Sequence, residues 1–163
     1  MRLFLIAAAL LSGATLLPAM PRHASQGALP AVSATSDPAD AWNSIALDRD
    51  GRGHYRVQAA VNGVPVAFMI DTGASDVVLS PADATRLGLR PDRLRFTGRA
   101  STANGEVALA PVSLREIRIG QLTRRDIGAV VNGAPMPFSL LGMSFLASLE
   151  GWEARGDRLL LYW

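Results

Sequence analysis

The feature that most constrains the fold is an apolar stretch that ends abruptly in an acid. Residues 68–70 are Phe-Met-Ile, Asp71 follows them directly, and Thr72 and Gly73 come next. A polar group at the end of a buried strand costs free energy unless it is hydrogen-bonded. Gly73 permits a tight turn whose backbone N–H groups can approach a carboxylate, and Thr72 adds a hydroxyl. The sequence therefore predicts a strand that delivers Asp71 from the core into a hydrogen-bonded turn.

Two-residue turns and short apolar runs predict a mainly β domain around this strand. Residues 55–61 and 64–70 join at Asn62-Gly63, a strong hairpin signal because both central positions need a positive φ. The sequence predicts further strands at residues 77–79, 99–110 (with a turn at Asn104-Gly105), 114–119, 127–131 and 158–163. We therefore expect a compact domain built from many short strands.

One or two small helices complete the predicted domain. Ser80 is an expected N-cap, Pro81 occupies the first helical position and Gly88 ends the helix. Residues 143–149 are expected to form one or two further helical turns. The chain shows neither a βαβ rhythm nor repeats of solenoid length, which excludes parallel α/β and repeat folds.

The composition leaves carboxylates as the side chains available for hydrolytic chemistry. The chain has no cysteine and two histidines, so disulfide scaffolds, zinc clusters and thiol nucleophiles are excluded or nearly so, and we expect no metal and no cofactor. All 16 basic residues are arginines scattered among 14 acids, the net charge is +2, and no basic stripe is visible, so no nucleic-acid partner is expected. His54 is interpreted as a surface residue rather than a ligand.

The N-terminal part differs from the rest of the chain. Residues 1–20 are apolar after Arg2 and are interpreted as a signal peptide or a single membrane anchor, with a buried core helix as the alternative. Residues 21–41 are rich in Ala, Ser, Pro and Gly and are expected to form a flexible linker, and residues 42–163 form the globular domain. We expect export to the bacterial periplasm, or anchoring in the inner membrane with the domain outside the cytoplasm.

The acid and the residues after it resemble a known signature. Asp71-Thr72-Gly73-Ala74 resembles the active-site motif of aspartic peptidases, and its surroundings resemble the single-lobe, retroviral-type (retropepsin-like) branch, which occurs also in bacteria. Ala74 fits that branch, because two-lobed pepsin-like enzymes commonly place a hydroxyl residue there. The resemblance covers nearly all of residues 55–163 and leaves the first forty residues unexplained.

Two further segments resemble the same family and follow in its order. One resembles the flap hairpin that closes over substrate: Thr102, Ala103, Asn104 and Gly105. The other resembles the apolar-apolar-Gly strand that crosses near the Asp-Thr-Gly loop in a ψ-shaped motif: Leu140, Leu141 and Gly142. A short helix at residues 143–149 matches the one that follows this strand in the family.

The resemblance implies a fold, a site and an activity. The implied fold is a closed, single-lobe acid-protease barrel with one or two short helices, and the implied catalytic residue is Asp71. Peptide hydrolysis by carboxylates needs two of them at one water, and the chain has one Asp-Thr-Gly, so a two-fold homodimer is expected. The implied activity is that of an aspartic endopeptidase on peptide or protein substrates, with a membrane contact if the N-terminal segment stays uncleaved.

Two other functions remain open at the level of sequence. A catalytically silent domain of the same fold could bind an extended peptide as an adaptor, although such a module has little reason to keep a buried acid at Asp71. A structural β domain of the cell envelope is the third interpretation. It would call for a long exposed apolar face, which the sequence does not show. Whether the terminal strand at residues 158–163 forms a dimer sheet is also left open.

Overall fold

A computed structural model describes residues 43–102 and 105–163 of the chain. The predicted export segment, the linker and Trp42 lie outside these residues. Ten strands form in the described part: β1 Ser44–Asp48, β2 Arg56–Val61, β3 Val64–Ile70, β4 Val77–Leu79, β5 Gly98–Thr102, β6 Gly105–Ile119, β7 Leu122–Asn132, β8 Ser139–Leu141, β9 Gly151–Arg155 and β10 Arg158–Tyr162. The mainly β prediction is confirmed.

Two short α-helices accompany the strands. Helix α1 spans Pro81–Arg86 and α2 spans Met143–Leu146, and a single 3-10 turn lies at Pro91–Arg93. The predicted cap of α1 is present, because the Ser80 hydroxyl oxygen accepts a hydrogen bond from the Asp83 N–H at 3.1 Å. Within the described residues no helix is long and apolar enough to cross a membrane.

Six of the strands close into a barrel. The sheet runs in the order β2-β3-β8-β4-β7-β6-β5, and β2 also pairs with β6, which closes the ring and leaves β5 outside it. The hairpin between β2 and β3 turns at Asn62 (φ 50°) and Gly63 (φ 87°), as the sequence predicts. Strands β3 and β8 are parallel, and so are β4 and β7. These two parallel pairs bring segments far apart in sequence to one end of the barrel.

Alternation along the strands fills the barrel interior. In β2 the residues Val57, Ala59 and Val61 are buried and those between them are more exposed. In β3 the same alternation buries Val66 and Phe68. Successive side chains of a strand point to opposite faces, so one face of each strand forms the core and the other is free for solvent or ligand.

A second sheet of three strands was only partly predicted. Its order is β1-β10-β9, so the C-terminal strand β10 is central and is paired on both sides within its own chain. The sequence predicts β10 but not β1 or β9. Strand β1 buries only Leu47 fully, and β9 has no fully buried residue, so both depend on their neighbours rather than on a strong apolar pattern of their own.

The long strand β6 is another difference from the prediction. The sequence predicts separate strands at residues 99–110 and 114–119, whereas the structure runs without a break from Gly105 to Ile119. Pro111 lies inside this strand and is exposed. The proline does not end the strand, because neighbouring residues keep the pairing to β7 on both sides of it.

Candidate active site

Asp71 directly follows the last residue of strand β3. The last strand residue, Ile70, donates its N–H to the Tyr55 carbonyl at 2.9 Å on one side and lies opposite Leu141 of β8 on the other. Asp71 continues this ladder, because its N–H donates to the Leu141 carbonyl at 3.2 Å. The acid is therefore fixed between two strands and still follows the alternation of β3.

The Asp-Thr-Gly turn fixes one oxygen of the carboxylate. The Gly73 N–H donates to Asp71 Oδ1 at 2.9 Å, and the Ala74 N–H donates to the Asp71 carbonyl at 3.2 Å. Asp71 is partly buried, while Thr72 and Gly73 are exposed. Oδ2 has no hydrogen-bond partner in the described part of the chain, so this oxygen is available to a water molecule or a second carboxylate.

The segment after β8 crosses directly over this turn. The Met143 N–H donates to the Ala74 carbonyl at 2.8 Å, and the Ser144 N–H donates to the Ser75 carbonyl at 2.8 Å. The Ser144 hydroxyl also accepts the Val77 N–H at 3.0 Å. These three bonds attach the C-terminal side of the turn to the segment after β8, and β3 and β8 pair in parallel just before the two segments cross.

Gly142 is the residue that lets the two backbones cross. A Cβ at this position would lie 2.2 Å from the Asp76 carbonyl oxygen and 2.6 Å from that of Ala74. Both distances are far below van der Waals contact, and both neighbours are backbone atoms that cannot rotate away. No residue larger than glycine fits here without a shift of the active-site turn.

A buried polar cluster supports β8 from the other side, and sequence reasoning missed it. Asp83 Oδ2 accepts hydrogen bonds from the Ser139 hydroxyl at 2.7 Å and the Ser80 hydroxyl at 2.9 Å, and Oδ1 is paired with Arg86 at 2.7 Å. Arg86 also donates to the Pro65 carbonyl. The sequence shows Ser80 and Asp83 as a helix cap, but Ser139 lies 56 residues from Asp83, so only the folded barrel reveals the cluster.

Comparisons with known proteins agree with this geometry. Residues 57–148, more than half of the chain, match the family described as "gag-polyprotein putative aspartyl protease". A crystal structure of a retropepsin-like aspartic protease from Rickettsia conorii is 37% identical, with a TM-score of 0.67 over 75% of this chain and 95% of that one. The chain belongs to the retropepsin-like aspartyl protease family.

Other relatives extend the comparison. A protein from Sinorhizobium sp, described as an uncharacterized protein in the cobV 5′ region, is 40% identical over 83% of this chain and 58% of its own length. The protein RP867 of Rickettsia prowazekii is 41% identical over 72% of this chain and 50% of its own. The chain thus spans about half the length of these curated relatives.

A viral structure shows the same fold. The EIAV protease complexed with the inhibitor HBY-793 is 21% identical, with a TM-score of 0.53 over 65% of this chain and 97% of that one. Together with the closed barrel and the two short helices, these matches confirm the single-lobe, retropepsin-like fold expected from the sequence.

The structure brings most of the predicted site residues together. Asp71, Thr72, Gly73 and Ala74 form the turn, and Leu141 and Gly142 contact it through the bonds and close approaches described above. Leu140 is half-buried on β8 beside Met69. Their roles in catalysis remain predictions.

The predicted flap corresponds to the hairpin of β5 and β6. Thr102 lies opposite Gly105, and its hydroxyl donates to the Gly105 carbonyl at 2.7 Å. Ala103 and Asn104, the predicted tip, lie outside the described residues. Gly105 has a φ of 107°, a conformation that suits glycine and few other residues.

No metal site is evident around the acid. Among residues 43–102 and 105–163, no group of three or more His, Asp or Glu side chains is arranged to hold a metal ion.

Proposed function

We propose that this chain is an aspartic endopeptidase that hydrolyses peptide bonds with a water molecule held between two Asp71 carboxylates of a homodimer. The observation that carries the proposal is the Asp71 turn itself. One carboxylate oxygen accepts the Gly73 N–H at 2.9 Å, and the other has no protein partner in the described chain. The backbone at Gly142 packs directly against the turn. Membership of the retropepsin-like family supports the same activity.

The proposed chemistry needs two carboxylates in different protonation states. The ionised one accepts a proton as the water oxygen attacks the carbonyl carbon, and the protonated one donates its proton to the carbonyl oxygen. Collapse of the tetrahedral intermediate breaks the C–N bond, and the leaving nitrogen takes up a proton. Two carboxylates a few Å apart share one proton because like charges that close do not both ionise, as is established for aspartic proteases. One chain supplies a single Asp-Thr-Gly, so the second carboxylate comes from a second copy.

An apolar row beside Asp71 is the proposed floor of the substrate cleft. Neighbouring strands align Met69 with Leu140, Leu140 with Val78, and Val78 with Val130. All four side chains are half-buried, and they lie on the face away from the core, since each has at least one buried strand neighbour. Asp71 follows Met69 by two residues and belongs to the same face. An extended peptide with apolar side chains near the scissile bond fits such a floor.

The β5–β6 hairpin is the proposed flap. In the part of the chain that the structure describes, strand β5 pairs with β6 alone and forms the free end of the large sheet. A hairpin joined to the barrel along one edge can move as a unit, and its backbone can hydrogen-bond an extended peptide.

The edge of β9 is the proposed contact between the two copies. Strand β10 has both of its edges occupied by β1 and β9, so within the described part of this small sheet the outer edges of β1 and β9 are the ones that can accept a strand from another chain. Trp152 on β9 is 37% exposed, which is unusual for so large an apolar side chain. Antiparallel pairing of two β9 strands would make one continuous sheet across the two-fold axis and bury both Trp152 side chains.

We also propose that the domain works outside the cytoplasm, tethered or released after export. This rests on the apolar N-terminal sequence alone. A reporter enzyme that is active only outside the cytoplasm, fused after residue 41, should be active, and removal of residues 1–20 should abolish its activity. Activity that survives the truncation would contradict the proposal.

The test of the proposed peptidase compares the full chain in mild detergent with its Asp71→Asn variant. Both are incubated with a mixture of unfolded proteins at several pH values and enzyme concentrations, and new peptide termini are read by mass spectrometry. The parent should cleave, with a rate that rises more than linearly with enzyme concentration at low concentration. The variant should fold with the same melting temperature and show no cleavage, because asparagine cannot exchange the proton.

Three results would contradict the proposal. Equal cleavage by parent and variant would remove Asp71 from the mechanism. A rate strictly proportional to concentration down to concentrations at which the chain is monomeric would exclude the shared site. If neither protein cleaves any substrate, while both are folded, dimeric and able to bind an extended peptide, the adaptor function would be favoured.

A further inference from the structure

Arg56 lies beside the proposed cleft on the same face as Asp71. It is the first residue of β2 and lies opposite Met69, which in turn aligns with Leu140. The neighbouring pair Val57 and Phe68 is buried, so Arg56 and Met69 point to the other face. Asp71, the first residue after β3, continues the alternation of the strand on that face, two residues or about 7 Å beyond Met69. Arg56 therefore lies on the strand next to the one that leads into Asp71.

The Arg56 side chain is held on two sides. Its Nε donates to Asp50 Oδ2 at 3.0 Å, and its guanidinium carbon lies 4.6 Å from the centroid of the Phe138 ring. Stacking of a guanidinium on an aromatic ring fixes the plane of the group. Phe138 lies two residues before Leu140, directly before strand β8, which pairs with β3.

Asp50 is itself held by backbone hydrogen bonds. Its Oδ1 accepts the N–H groups of His54 and Arg52, both at 2.9 Å. The bond from the His54 N–H is the largest cause that lowers the pKa of Asp50 below its ordinary value, and the bonds from Arg52 and Arg56 lower it further against the opposing effect of desolvation. An acid oriented by two backbone N–H groups thus anchors Arg56 through Nε.

The remaining donors of Arg56 are unused within the described chain. Neither Nη1 nor Nη2 has a hydrogen-bond partner among residues 43–102 and 105–163, and the side chain is 45% exposed. Two parallel N–H donors in a fixed plane match the two oxygens of a carboxylate. Because Asp50 and Phe138 already restrict the side chain, little conformational entropy is lost when a ligand binds.

We propose that Arg56 is a specificity-determining residue that binds an acidic side chain of the peptide substrate. The inference rests on the proposed peptidase function. An extended peptide rises about 3.3 Å per residue, so the acid would lie two or three positions from the scissile bond. A two-fold dimer brings two copies of Arg56, so the preference should appear at matching positions on both sides of that bond.

The test measures cleavage specificity with the full-length protein. The parent and the Arg56→Gln and Arg56→Glu variants digest a peptide library, and a matched pair of peptides that differ only by Glu or Gln at the selected position gives kcat and KM. Arg118→Gln is the control, because Arg118 is also an exposed strand arginine and lies on β6 outside this cluster. Melting temperatures establish that all variants are folded.

The parent should favour Glu over Gln by about tenfold in kcat/KM, mainly through KM, as for a charge-assisted hydrogen bond. Arg56→Gln should abolish the preference, Arg56→Glu should replace it by a preference for Lys or Arg, and Arg118→Gln should behave as the parent. A parent without an acidic preference, or an Arg56→Gln variant that keeps it, overturns this inference alone. Absence of any Asp71-dependent cleavage overturns the proposed function and this inference with it.

Discussion

At Gly142 the backbone of one segment touches the backbone of another. The Asp71 turn and the segment after β8 approach so closely that the position has no room for a Cβ, which would meet two carbonyl oxygens at 2.2 and 2.6 Å. The same contact is what holds the carboxylate turn against the barrel. The requirement for glycine at this residue is therefore structural, and it lies at the turn that carries the proposed catalytic acid.

A Gly142→Ala variant should be strongly impaired. The added methyl group must displace the Asp71–Asp76 backbone, and we expect a loss of unfolding free energy of about 2 kcal/mol or more, with loss of peptidase activity. Urea unfolding and peptide cleavage measure the two effects.

Gly128→Ala is the matched control, since a Cβ there meets nothing within 4 Å and the residue does not have a positive φ. Its unfolding free energy should stay within about 0.5 kcal/mol of the parent. Equal effects of the two substitutions would contradict the assigned role of Gly142.

At the scale of elements, helix α1 is bound to the barrel through a buried acid. Asp83 is 8% exposed and accepts hydrogen bonds from Ser80 at the start of its own helix and from Ser139 on β8. The Ser139 hydroxyl also accepts the Ser80 N–H at 3.0 Å. Because β8 carries Leu141 and Gly142 against the Asp71 turn, this cluster stabilises the strand that supports the site.

An Asp83→Ala variant should lose about 2–4 kcal/mol of unfolding free energy, because several buried donors lose their acceptor at once. An Asp83→Asn variant should lose less, since the amide keeps an acceptor and the two serine hydroxyls can rotate. Denaturant titrations measure both losses.

Asp92→Ala is the control for removal of an acid. The Asp92 side chain is 68% exposed, and its ion pairs with Arg90 and Arg93 lie at the surface. Its effect should be within about 0.5 kcal/mol. The cluster would lose its assigned role if Asp83→Ala were as mild as Asp92→Ala.

At the scale of the whole molecule, a closed barrel carries one copy of the Asp71 turn, which is half of the proposed symmetric site. Because the barrel is closed, the free strand edges in the described chain are those of β5 and those of the small β1-β10-β9 sheet. The proposed dimer uses the β9 edge, so the affinity between copies and the peptidase activity should depend on the same residues.

A Trp152→Glu variant should dimerise at least tenfold more weakly, because a buried charge replaces a buried aromatic ring at the proposed interface. Analytical ultracentrifugation gives the dissociation constant, and cleavage at rising concentration should recover in parallel. The monomer should remain folded, since the side chain is exposed there.

Phe96→Glu is the matched control, because Phe96 has the same exposure of 37% and lies outside the small sheet. Its dimer affinity should equal that of the parent. A Trp152→Glu variant with unchanged affinity would place the interface elsewhere.

The sequence by itself determined the local features of this protein. Asn62-Gly63 predicts the β2–β3 hairpin, Ser80 predicts the start of α1, and the apolar strand before Asp71 predicts where the carboxylate emerges. Each of these signals depends on the conformational preferences of a few adjacent residues, which act before any tertiary contact forms. The order of the motifs that resemble the retropepsin-like family was then enough to predict the fold.

Only the tertiary structure decided which distant residues meet. The Asp83–Ser139 bond joins residues 56 positions apart, and the contact of Arg56 with Phe138 spans more than half of the described chain. Strands β1 and β9 form because β10 offers them an edge, and their own apolar patterns are too weak to predict them. Such contacts depend on the register and closure of the barrel, which no short stretch of sequence encodes.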